Sequence, residues 1–113
     1  MINKKLVSDF ADIIGNIEIA IHLDSFNRVK ADYEMILNVL LKWIQYYYAN
    51  KNLDIVTTDE SLKIHTLLEE IKWDLLPRKD IGVESLLTDN ILIRYEVIIK
   101  AINEERMSNN GKR

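Results

Sequence analysis

The chain has 113 residues, with 15 basic and 18 acidic side chains for a formal charge of −3, three Gly, one Pro and no Cys. That length fits one domain and not two, and the lack of Cys excludes a disulfide framework, a thiol nucleophile and a cysteine-based zinc finger. The acidic balance with scattered Lys and Arg leaves no basic stripe for a phosphate backbone, which excludes general nucleic-acid binding, while 48% apolar and 29% charged residues suffice for one core and its surface.

At the N-terminus, Asp9 and Asp12 interrupt the apolar run that a signal peptide needs, and no later stretch reaches about 18 uncharged apolar residues. The expectation is a cytoplasmic chain that does not insert into a membrane. Ile2, Leu6, Phe10, Ile13, Ile14, Ile17 and Ile21 recur at three and four residues, which predicts a helix over roughly residues 2–23. Gly15 costs that helix only about 1 kcal/mol. A second helix follows from Tyr33, Ile36, Leu37, Leu40, Leu41, Ile44, Tyr47 and Tyr48, ending at Asn50-Lys51-Asn52.

Thr57 and Glu60 stand at capping-box spacing before a third helix, whose stripe is Ile64, Leu67, Leu68, Ile71 and Leu75 and which Pro77 stops. In the fourth helix Leu87, Ile91, Tyr95, Ile98 and Ile102 share one face, with Thr88 or Asp89 as its cap and a separate short turn over 83–87. These elements predict an all-α fold, an antiparallel four-helix bundle over residues 1–107, with a flexible tail over 108–113.

Apolar residues exceed what one core requires. Met35, Val39, Trp43 and Tyr46 form a second stripe on helix 2, readable as interior packing or as a partner contact anchored by Trp43 and Tyr46. Helix 4 carries Leu86, Ile93 and Val97 opposite Tyr95, and a helix apolar nearly all round is covered by something. Trp73 lies opposite the stripe of helix 3. Trp43, Tyr46, Trp73, Ile93 and Val97 are therefore the candidate partner-binding residues.

Tests for catalysis find little. Gly15, Gly82 and Gly111 form neither a phosphate loop nor a dinucleotide fingerprint, and no nucleophile elbow or zinc-protease motif occurs. Glu18 with His22 and His65 with Glu69 are metal-like pairs at i,i+4, but a bundle places the two histidines at opposite ends. The expectation is a protein with no enzymatic activity, cofactor or metal.

Two segments carry a family likeness. Tyr33 to Lys51, with its apolar spacing ending in an Ile, a tyrosine pair and a lysine-bearing turn, resembles the second helix of the immunity proteins against pediocin-like bacteriocins, the enterocin A immunity family. Thr88 to Ile102, with Arg94-Tyr95-Glu96 after a polar start, is similar to the polar cap and Arg/Lys-Tyr-Glu helix of some members. The resemblance implies an antiparallel four-helix bundle in the cytoplasm of the producing cell or of a relative carrying the gene. It also implies action at the mannose phosphotransferase permease that serves as the peptide's receptor, with the C-terminal half setting which bacteriocin is resisted. The five partner-binding candidates come from the helical wheel, not from the family. A competing reading is an antitoxin, inhibitor or immunity protein acting on a soluble toxin or enzyme; a homodimer burying helix 4 is another.

Overall fold

The computed structural model describes residues 2–75 and 82–111. It contains four α-helices, α1 Lys4–Ile21, α2 Lys30–Asn50, α3 Thr58–Leu75 and α4 Gly82–Gly111, with a 3-10 helix over Asp24–Val29 joining the first two. No strand occurs among the described residues.

Local chemistry sets most helix ends. The Asn3 side chain accepts from the amides of Lys5 and Leu6 at 3.1 and 3.2 Å, so α1 starts after Asn3. It stops at Ile21 because Leu23 is extended, and the following 3-10 helix turns Phe26 into the core. Lys51 closes α2 in the left-handed conformation, φ 59° and ψ 21°, with its amide bonded to the Tyr47 carbonyl at 2.8 Å. Thr57 caps α3 by accepting from the Glu60 amide at 3.1 Å.

Two expectations about α4 change. The helix begins at Gly82, so there is no separate turn over 83–87, and Thr88 is buried inside it beside the Tyr33 hydroxyl instead of capping it. Ser25 donates to Glu84 at 2.8 Å and Lys72 pairs with Asp89 at 3.3 Å, tying that first stretch to the bundle. The backbone stays helical to Gly111, so only residues 112–113 of the expected tail lie outside the described residues. The stop at Pro77 also lies outside them; α3 is helical to Leu75.

The helices form an antiparallel bundle of 52 × 21 × 20 Å, with α1 packed along α2 and α4, and α3 along α4. Contacts fix the directions. The Asn3 amide, at the start of α1, meets the Tyr47 hydroxyl near the end of α2. Asp12 of α1 pairs with Arg94 of α4 at 3.2 Å, and Ser61, early in α3, accepts from Tyr95, past the middle of α4. Phe10, Ile13, Ile17, Ile36, Leu40 and Ile98 are fully enclosed, with Phe26 edge-on to Tyr33 at 5.7 Å.

Trp43 belongs to this core. It is 0% exposed and stacks on Tyr95 at 6.5 Å, so it is removed from the candidate partner-binding residues. Ile36, Leu40, Trp43 and Tyr47 follow one another at three and four residues, so Trp43 continues the buried stripe and not a second one. The second stripe is shorter: Val39 and Tyr46 are half-buried and Met35 is exposed.

Candidate functional site

The most site-like feature is a groove of about 440 Å³ between the start of α3 and the C-terminal half of α4. Leu62 supplies one wall and Ile99 and Met107 the other, and Leu62 and Met107 stand 58% and 73% exposed. Tyr95 forms the floor. Its hydroxyl donates to the Ser61 carbonyl at 2.6 Å, and burial, followed by the charge of Glu60, pushes its pKa far above the ordinary 10.0. It therefore stays protonated and acts as a structural donor.

Charge sits on the rim. His65 lies between two carboxylates, with Nδ1 3.1 Å from Glu69 and Nε2 3.5 Å from Glu96, and its ring is tilted over Tyr95 at 6.4 Å. Lys100 and Glu104 complete the edge. An apolar floor with charged edges suits an apolar segment of another protein, and no nucleophile with an adjacent base lines it. His22 is remote, with Nδ1 2.7 Å from the Glu18 carbonyl. Among the described residues, no group of three or more His, Asp or Glu side chains is placed to hold a metal ion.

Behind the groove, Glu60 joins α3 to α2. Its carboxylate accepts from the Trp43 indole at 2.9 Å and pairs with Lys42 at 3.1 Å. Burial raises its pKa, but the indole bond and Lys42 outweigh that and hold it below 4.5. At the bundle's other connection, Arg106 donates to the carbonyls of Leu53 and Val56, and Tyr47 donates to Glu105 at 2.8 Å. These three bonds to the last turns of α4 secure the end of α2 and its link to α3.

No protein-family model matches the chain, and neither a curated protein nor a solved structure matches it.

The remaining partner-binding candidates separate. Ile93 and Val97, 57% and 42% exposed, share the outward face of α4 with Leu86 at 68%. Trp73, at 69%, is exposed on α3 beside Lys72, whose ammonium pairs with Asp89 of α4. Tyr46 is half-buried on α2, across the core from that face. Sequence reasoning missed the groove. Leu62 was its one visible signal, being an apolar residue near the start of α3 off the stripe of Ile64 and Leu68; Met107 gives none without knowing that α4 continues that far. No helix among the described residues is long and apolar enough to cross a membrane.

Proposed function

We propose that this chain is a bacteriocin immunity protein that protects its cell from a pediocin-like pore-forming peptide. It acts from the cytoplasm by binding the receptor permease while the peptide is engaged. One observation carries the reading: the apolar groove of Leu62, Tyr95, Ile99 and Met107 falls in the C-terminal half, where the resemblance of Tyr33–Lys51 and Thr88–Ile102 puts specificity. The groove exists without a partner, so binding requires little reordering. Protection then requires that the chain bind the blocked state of the permease more tightly than the open one, because equal affinity for both would shift nothing.

The test is survival of a bacteriocin-sensitive Gram-positive strain expressing the chain, challenged with a panel of pediocin-like peptides. Selective protection is expected, together with its loss in Leu62→Glu and Met107→Glu variants that retain the helical circular dichroism and melting temperature of the parent. Absence of protection across the panel, with folded protein present in the cells, would overturn the reading and favour a soluble toxin or enzyme as target.

A further inference from the structure

The outward face of α4 meets the groove only along its edge, at Glu96, Lys100 and Glu104, and its apolar residues have an order of their own. Leu86, Asn90, Ile93 and Val97 are spaced by four, three and four, the d-a-d-a seam of a heptad repeat, and all are exposed. Lys100 and Glu104 continue the same positions and end the apolar stretch. Monomers seldom leave such a stripe open, and an Asn at one a position among apolar neighbours is the device that fixes register between two parallel helices. We infer that this face is the interface of a parallel, two-fold symmetric homodimer in which α4 packs on its counterpart and Asn90 meets Asn90.

Charge favours parallel over antiparallel pairing. In this register Asp89 and Glu96 are g positions and Arg94 is an e position, so a parallel pair sets Asp89 of each protomer against Arg94 of its partner. An antiparallel pair would set acid against acid along the g edge and Arg94 against Arg94 along the other. Asp89 and Arg94 already bond within the protomer, to Lys72 and Asp12, but each is 43% exposed, which leaves a carboxylate oxygen and guanidinium donors for a second partner.

The flanks fit the same symmetry. Ile19 lies two turns beyond Asp12 on one face of α1, and since Asp12 stands level with Arg94, the antiparallel rise brings Ile19 level with Leu87. Trp73 follows Lys72, which stands level with Asp89. The two side chains, 55% and 69% exposed, thus flank α4 at nearly one height, one on the α1 side and one on the α3 side. A two-fold axis parallel to α4 places α1 of one protomer opposite α3 of the other, so Ile19 faces the partner's Trp73 on both sides of the seam. These contacts widen an otherwise narrow interface, because the apolar seam from Leu86 to Val97 is only about 17 Å long.

Sedimentation equilibrium of the full chain, up to on the order of 1 mM, tests the association, with a dimer expected and a dissociation constant in the micromolar range. Ile93→Lys is expected to weaken it at least tenfold with the melting temperature of the dilute protein unchanged. Because the chain has no Cys, single-cysteine variants report direction cleanly. Asn90→Cys should form a disulfide-linked dimer on mild oxidation, while a mixture of Leu86→Cys and Val97→Cys should give little mixed product. A monomer at every concentration, or a dimer insensitive to Ile93→Lys, would overturn the interface. Crosslinking of the mixed pair in preference to Asn90→Cys would overturn the parallel register. Neither result depends on protection against any bacteriocin.

Discussion

Replacing Glu60 by Ala removes the acceptor of an indole N–H that has no access to water. Trp43 is 0% exposed and its Nε1 lies 2.9 Å from Glu60 Oε1, so the donor is left buried and unpaired. That costs about 1–3 kcal/mol, whereas the partly exposed pair with Lys42 adds no more than about 1 kcal/mol. The Thr57 cap is unaffected, since it uses the Glu60 amide and not its side chain. For 113 residues, an unfolding entropy of about 2.1 cal/mol/K per residue amounts to roughly 0.24 kcal/mol/K, so a loss of about 2 kcal/mol lowers the melting temperature by about 8 °C. Glu60→Gln, which keeps an acceptor, should cost less than half as much. In a Trp43→Phe background, which lacks the donor, Glu60→Ala should cost at least about 1 kcal/mol less than in the parent. Because Glu60 titrates below 4.5 when folded, the unfolded chain takes up the proton first as pH falls. Its stabilisation is therefore complete above 4.5 and lost as pH falls through the lower folded value, and Glu60→Gln should flatten that decline. Calorimetric melting of the parent and the four variants, including Trp43→Phe and the double variant, is the assay. A shift under about 2 °C for Glu60→Ala, or equal costs in both backgrounds, would refute the reasoning.

Gly15 lies inside α1 at an exposed position where an added Cβ meets nothing within 4 Å, so Gly15→Ala should raise stability by about 0.5–1 kcal/mol, read as a rise of about 2–4 °C. Arg106→Ala removes two charge-assisted bonds to the Leu53 and Val56 carbonyls and should cost about 1.5–3 kcal/mol, with faster amide exchange across residues 51–57. The two tryptophans should divide by exposure, 0% at Trp43 against 69% at Trp73. Trp73→Phe should leave blue-shifted emission that acrylamide quenches poorly, and Trp43→Phe red-shifted emission that it quenches well.

The first three helices were legible because each is specified locally by apolar residues at three and four, with Asn3 and Thr57 capping α1 and α3. Where the sequence reading failed, a distant group had intervened. Thr57 and Glu60 have the spacing of a reciprocal box, but only the Thr half forms; the Glu60 carboxylate turns to Trp43, a partner 17 positions away and undetectable by local pattern. Thr88 has the composition of a cap and becomes interior, because Ser25 holds the preceding turn of α4 against the bundle at Glu84 and Lys72 holds the next residue, Asp89. Trp43 itself was readable: its spacing from Leu40 and Tyr47 assigns it to the core, and its equally regular spacing from Val39 and Tyr46, with its aromatic character, suggested a contact surface.

The groove has a different origin, in the mismatch between α3 and α4. With Lys72 level with Asp89, the antiparallel register brings the first residue of α3, Thr58, level with Asn103, and α4 then runs on past it. That overhang has no helix beside it on the α3 side, which leaves Met107 uncovered next to Leu62. It stays helical because Arg106 and Glu105, on its inner side, are bonded to the α2–α3 connection and to Tyr47. Anchoring and exposure thus come from successive residues of one turn, Glu105, Arg106 and Met107. The anchored side fixes the backbone and thereby holds the exposed side in place, so weakening the Arg106 bonds should disorder the Met107 wall of the groove before it unfolds the core. Arg106→Ala should therefore impair protection at temperatures where the protein is still fully folded by circular dichroism. Full protection by that variant under those conditions would show that the overhang is not part of the working surface.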